Sequence, residues 1–155
     1  MIKYLAEFMG TFFLVAVVIG SGIMAQNLSE GNMGIALLGN TIPTGAILYV
    51  IIKMFGPISG AHFNPAVSLM FYLRKELSWM DLIKYIVIQF ISGLLAVVII
   101  HYIFELNICQ VSTNIRGEWP LLISEILATC GLVLTILFIR HNDERSIAMG
   151  VALFI

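Results

Sequence analysis

The chain has 155 residues, of which 60% are hydrophobic and 11% charged, with a formal net charge of -1. A soluble domain carries about 25% charged residues, so this composition excludes a water-soluble globule and points to lipid as the solvent. The near-neutral balance gives no surface for nucleic acid, and Cys109 and Cys130 lack CxxC or metal-like spacing, so each is expected to pack as a small hydrophobe.

A bilayer-crossing helix needs about 20 mostly apolar residues. The first candidate is Leu5–Ala25, preceded by a short basic start, Met1–Tyr4, with no small-residue cleavage site after it. Glu7 lies near the start of this span, where an ionisable residue must face the protein interior. The second candidate is Gly34–Met54, with Pro43 inside it. Membrane helices tolerate such a proline when neighbours satisfy the freed carbonyl.

The stretch Asn64–Leu73 does not make a full span. At 1.5 Å per residue it reaches about 15 Å, half the hydrocarbon thickness. Asn64–Pro65 is a helix start, with asparagine as N-cap and proline in the first turn. The preceding Gly56–Phe63 is glycine-rich, uncharged and read as a loop. The pattern leaves two options open, a re-entrant half-helix or a short helix lying on the membrane surface.

A third full span is expected at Leu82–Phe104 and a fourth at Pro120–Ile139. A fifth begins near Ser146 and is cut at Ile155. With the N-terminus in the cytoplasm, Lys3, Lys53, Arg74, Lys75, Lys84, Arg140 and Arg145 fall on the cytoplasmic side and only Arg116 outside. That bias supports this span count and orientation. It also makes the Asn64 stretch enter and leave on the cytoplasmic side.

The first and fourth spans share a pattern: Glu7, Thr11, Leu14 and Val15 recur as Glu125, Thr129, Leu132 and Val133. Because these spans run in opposite directions, the match reads as an inverted repeat. Gly34-Ile-Ala likewise matches Gly150-Val-Ala. Residues 1–104 then form a first repeat and 105–155 the start of a second, whose own half-helix is expected after Ile155. Gly10, Gly20, Gly22, Gly39, Gly45 and Gly93 allow close helix approach.

The run Ser59-Gly-Ala-His-Phe-Asn-Pro-Ala-Val67 resembles the first signature of the major intrinsic protein family, which includes the aquaporins and glycerol facilitators. Supporting matches are Ala6-Glu7-Phe8-x-Gly10-Thr11-Phe12, Gln89 followed by Gly93, and Glu125 with Thr129. The resemblance implies an all-α membrane protein, a right-handed aquaporin-like bundle with an inverted repeat and one re-entrant half-helix. It implies a passive channel for small neutral solutes in a bacterial inner membrane, with no cofactor or metal, usually as a homotetramer. It implies that the Asn64 amide faces the pore, that Pro65 fixes the turn, and that Ala66 leaves room for packing. The carbonyls of Gly60, Ala61 and His62 would line the path, and Glu7 and Glu125 would be buried against loop backbone.

The family's selectivity-filter position in the second span falls at Thr44, where water-selective members carry a bulky aromatic, so a wider filter is implied. GSGIMAQNLS, NTIPTGAIL and FGPISGAHFNPAVSL are similar to a bacterial branch linked to arsenic-resistance genes, which implies arsenite-like or other hydroxylated neutral solutes. Glycerol-like solutes and water are the alternatives. Two further readings stand beside this one. The first is an incomplete chain that cannot form a pore alone. The second, a membrane enzyme, is weak, because no HExxH, paired carboxylates or Ser–His–Asp set lies at membrane depth.

Overall fold

The computed structural model describes residues 1–110, 117 and 119–155. Arg116, the basic residue assigned to the outer side, lies outside the described residues. Among the described residues the chain is all α. Helix α1 spans Ile2–Leu28, α2 Met33–Ser59, α3 Pro65–Leu73, α4 Trp79–Ile103 and α5 Trp119–Asn142. A 3-10 turn, Glu144–Ser146, leads into α6, Ile147–Phe154.

Four of these helices, α1, α2, α4 and α5, are long and apolar enough to cross a membrane. Their 24 to 27 residues correspond to about 36–40 Å of helix, more than the roughly 30 Å hydrocarbon layer. The chain is therefore a multi-pass membrane protein. Its outer surface agrees: Phe13, Leu38, Ile42, Val87, Phe90, Ile91, Leu94 and Leu127 are exposed, the inverse of a soluble fold.

The helix ends follow local chemistry. Asn32 caps α2 by accepting from the amides of Gly34 and Ile35, and Ser78 caps α4 by accepting from Asp81. Helix α2 runs further than the sequence suggested. Residues 56–59, read as loop, are helical, and α2 contains Pro57 as well as Pro43. It ends only at Gly60, which takes the left-handed conformation (φ +87) at the helix terminus. Lipid offers a peptide group no hydrogen-bond partner, so helix continues until a residue can turn it off.

Helix α1 packs against α2 and α4, α3 against α4 and α5, and α6 bridges α2 and α5. At the centre, Leu48, Ile51, Phe63, Val67, Met70, Ile136 and Val151 form the buried core. Close approach is set by small residues. A Cβ on Gly39 would sit 2.8 Å from the Ala25 methyl, and one on Gly45 would sit 2.7 Å from the Ala152 carbonyl oxygen. These glycines hold α1 to α2 and α2 to α6.

Charged contacts gather at one end of the bundle. Lys3 pairs with Asp81 at 2.9 Å, joining the starts of α1 and α4. Lys53 donates to the Arg145 carbonyl at 3.0 Å, joining the end of α2 to the 3-10 turn. Glu76, just after α3, pairs with Arg74 at 2.7 Å and with Arg140 near the end of α5. The chain leaves α3 at this end, through Arg74 and Glu76.

Two expectations fail on burial. Glu125, expected to be buried, is exposed on α5. The loop and helix that cover Glu7 have no counterpart over that face of α5 among the described residues. Cys130 on α5 and Cys109 are likewise exposed rather than packed.

Candidate functional site

The site is built on a backbone that no regular element supplies. Between the end of α2 and the start of α3, Gly60, Ala61 and Phe63 all have positive φ (87, 51 and 49). Left-handed backbone at a residue with a Cβ is strained, so neighbouring groups must hold it.

Glu7 is the main one. Its side chain is fully buried. Oε1 accepts from the His62 amide at 2.9 Å and from the Ser59 hydroxyl at 2.7 Å. Oε2 accepts from the Phe63 amide at 2.9 Å and from Gln89 Nε2 at 3.0 Å. Four donors on one carboxylate fix two consecutive loop amides to α1 and α4. Ser59 adds to this, accepting from the Ala61 amide at 3.1 Å, while Tyr85 donates to the Ser59 carbonyl at 2.8 Å.

The next layer locks the half-helix. Gln89 Nε2 also donates to Ser68 Oγ at 3.1 Å. Ser68 Oγ in turn meets His62 Nδ1 at 3.1 Å. Since Ser68 Oγ already accepts from Gln89, the network is satisfied by Ser68 donating to an unprotonated Nδ1, the proton residing on Nε2. The His62 ring stacks on Phe71 with centroids 4.5 Å apart and meets Tyr85 edge-on at 5.2 Å. His62 is thus buried and braced within the loop. No cluster of three His, Cys, Asp or Glu side chains exists among the described residues to hold a metal.

Phe63 anchors the loop on α1. A Cβ on Gly10 would fall 2.0 Å from the Phe63 ring, so only glycine at position 10 lets the ring lie against the helix. Phe63 also meets Phe55 edge-on at 6.2 Å.

Held this way, Asn64 opens α3. Its Oδ1 accepts from the Ala66 amide at 2.8 Å, and Pro65 occupies the first helical turn. The cap uses the oxygen, so Nδ2 has no partner among the described residues. The N-terminus of α3 also carries the positive end of the helix dipole. Among the described residues the Gly60, Ala61 and His62 carbonyls accept no protein hydrogen bond.

These groups face a cavity of about 620 Å³. Gly60, Ala61, His62 and Asn64 line one side, Leu14, Val18, Thr44 and Leu48 another, and Leu132, Ile136 and Val151 a third. Lys53, Arg140 and Arg145 stand at the basic end. Thr44 Oγ1 donates to the Asn40 carbonyl at 2.8 Å, which leaves its lone pairs and methyl for the cavity. Leu14 and Leu132, equivalent in the sequence repeat, line the same space. Pro65, Ala66, Glu7 and Glu125 do not line it; Glu7 acts behind the wall.

Sequence reasoning missed Ser59, Ser68 and Tyr85. A serine at the last residue of a helix or inside a half-helix carries no pattern, and a tyrosine in an apolar helix reads as core. Gln89 entered only as part of the family resemblance, although a polar residue at membrane depth is itself a signal.

The sequence matches the Major intrinsic protein family over residues 1–155. It is 44% identical over 143 residues to Aquaglyceroporin AqpS of Rhizobium meliloti, covering 92% of this chain and 61% of that protein. It is 30% identical over 147 residues to Aquaporin NIP2-1 of Oryza sativa subsp. japonica, covering 94% and 48%. It is also 30% identical over 171 residues to Aquaporin Z of Photorhabdus laumondii, covering 97% and 72%. The chain thus spans 61% and 48% of the length of the first two. By a strained loop nailed to a buried glutamate, an Asn-Pro half-helix facing a cavity, and these matches, the chain belongs to the major intrinsic protein family, whose members are channels rather than enzymes.

Proposed function

We propose that this chain supplies the first half-helix and the inner vestibule of a passive channel for small neutral solutes. The observation that carries the reading is the Asn64 amide. Its oxygen is spent on the helix cap, and its Nδ2 is left to donate at the wall of the cavity. A neutral solute accepts from that amide, and hands its own protons to the Gly60, Ala61 and His62 carbonyls. A cation meets the positive end of α3 and is repelled.

Thr44, small and polar, fits a filter wider than a water-selective one. We infer hydroxylated solutes, glycerol-like or metalloid hydroxides such as arsenite, ahead of water alone. The name of the Rhizobium meliloti relative, an aquaglyceroporin, supports this choice. Residues 1–104 and 105–155 act as the first repeat and the start of an inverted second one. The N-terminus and the basic end lie in the cytoplasm, the membrane is the bacterial inner membrane, and the assembled channel is a homotetramer. The charge bias supports the orientation.

Asn64→Asp is the test in proteoliposomes of the full-length protein containing this chain. Aspartate caps a helix as well as asparagine, so the fold persists while the donor is lost. Glycerol-driven swelling is expected to fall by about tenfold or more and cation leak to rise. Unchanged flux and selectivity would reject the reading, as would a wild-type protein that conducts nothing.

The exposed Glu125 favours a second reading, in which this polypeptide alone is inert and needs a companion segment over α5. Flux from the chain expressed by itself would eliminate that reading.

A further inference from the structure

Down the outer face of α4 the exposed residues repeat at helical spacing: Met80, Ile83, Val87, Ile91 and Leu94. This stripe faces lipid, and one charge stands on it. Lys84 is exposed in the second turn of α4, beside Ile83 and at the basic end of the bundle. The acid placed to balance it is Asp81, three residues earlier on the same helix. Asp81 is committed elsewhere. Its Oδ2 pairs with Lys3 at 2.9 Å and accepts from Ser78 Oγ at 2.9 Å, and its Oδ1 accepts from the Tyr4 hydroxyl at 2.6 Å. Lys84 is left with no carboxylate within ion-pair distance among the described residues.

What Lys84 does meet is the Tyr4 ring. Its Nζ lies 5.3 Å from the ring centroid, and Lys3 Nζ lies 5.4 Å from the same centroid. Both are within the range of cation–π attraction. The ring thus brings two ammonium groups together, and Asp81 balances only one of them. Exposed Trp79, tilted against Tyr72 with centroids 5.6 Å apart, marks the headgroup level at this end. Ile2 and Leu5, exposed on α1 on either side of Lys3 and Tyr4, widen the apolar surface.

We propose that Lys84, held by Tyr4 beside Lys3, binds the phosphate of an anionic phospholipid whose acyl chain lies along Val87, Ile91 and Leu94. An unbalanced cation at headgroup level, with an apolar stripe running from it into the membrane, complements such a lipid at both its ends. A zwitterionic lipid brings its own cation to the lysines and gains less. None of these residues lines the cavity, so the site stands whatever solute the channel passes.

The experiment is native mass spectrometry of the detergent-purified full-length protein containing this chain, with dioleoyl phosphatidylglycerol or dioleoyl phosphatidylcholine added at equal concentration. Wild type is expected to hold phosphatidylglycerol about fivefold more tightly than phosphatidylcholine, the factor that one lysine near the headgroups carries. Lys84→Gln should remove most of that preference with phosphatidylcholine binding unchanged, and Lys84→Arg should keep it. Lys75→Gln, which removes an exposed cation that does not meet the Tyr4 ring, should leave the preference intact. Equal binding of the two lipids by wild type, or a preference that survives Lys84→Gln, overturns the proposal. Equal losses in Lys84→Gln and Lys75→Gln would mean diffuse surface charge and overturn it too. Displacement of phosphatidylglycerol by inorganic phosphate would assign the lysines to a free oxyanion, with the same consequence.

Discussion

At the residue scale, Glu7 decides whether the loop exists. Four donors converge on it, two of them amides of a backbone segment with left-handed residues. Glu7→Gln places an NH2 group where an acceptor is required. Hydrogen bonds to a charged group contribute about 1.5–3 kcal/mol, and a buried donor left unpaired costs about 1–3 kcal/mol. Glu7→Gln is therefore expected to destabilise the protein by about 2–4 kcal/mol, read as a lower unfolding temperature in detergent. Ser59→Ala should cost less, because it removes only one donor to Glu7 and one acceptor for Ala61. Gly10 offers a steric counterpart. Gly10→Ala drives a methyl into the Phe63 ring and is expected to cost about 1–3 kcal/mol. The double change Gly10→Ala with Phe63→Leu should recover part of that loss, and a purely additive cycle would show that the two side chains do not meet.

At the element scale, α3 is held at both ends. Its N-terminus hangs on the Glu7 loop, and its C-terminus is tied through Glu76 to Arg74 and to Arg140 of α5. Arg140 also lies over the Phe71 ring, 5.2 Å from its centroid. The hydrogen bond from Arg140, then that from Arg74, holds the Glu76 carboxyl below its ordinary range. A lowered pKa gives stability that is complete above the ordinary carboxylate value and lost as pH falls through the folded value. Glu76 is partly exposed, with 30% of its side chain accessible, so screening limits the gain to about 0.5–1 kcal/mol. Wild type should therefore melt a little above Glu76→Gln at neutral pH, and the gap should close as the pH falls below about 4. A gap that persists in acid would mean that charge is not its source. The extension of α2 through Pro57 belongs at this scale as well. A glycine-rich, proline-containing stretch reads as loop in water, and in lipid it stays helical until Gly60 turns it off.

At the scale of the whole molecule, the uncovered face of α5 is the main asymmetry. Glu7 and Glu125 occupy matching places in the repeat, yet one is buried and the other exposed. An ionisable side chain exposed on an apolar span is costly in lipid even near the start of the helix, so that face calls for a cover. Glu125→Cys is expected to react with a membrane-permeant maleimide in the chain alone, and to be protected when a segment that completes the bundle is present. Equal labelling in both states would mean that α5 keeps the face open. The basic end gives a second global test. A reporter fused at the N-terminus should be active only on the cytoplasmic side, given where Lys3, Lys53, Arg74, Arg140 and Arg145 cluster.

The span pattern, the half-length helix and the family were legible in the sequence, because lipid makes hydropathy nearly a direct reading of helix. The Asn64-Pro65 helix start was legible as local chemistry, whereas the roles of Ala66, the 60–62 carbonyls and Thr44 came only from the family resemblance. What no periodicity encodes is which groups meet across the chain. Only tertiary packing brings Glu7 to residues 59, 62, 63 and 89, sets Phe63 on Gly10, and joins Ser21 to Asn40. The repeat pattern gave Glu7 and Glu125 the same local sequence, but burial depends on what another segment lays over the side chain, and that is a property of the assembled bundle.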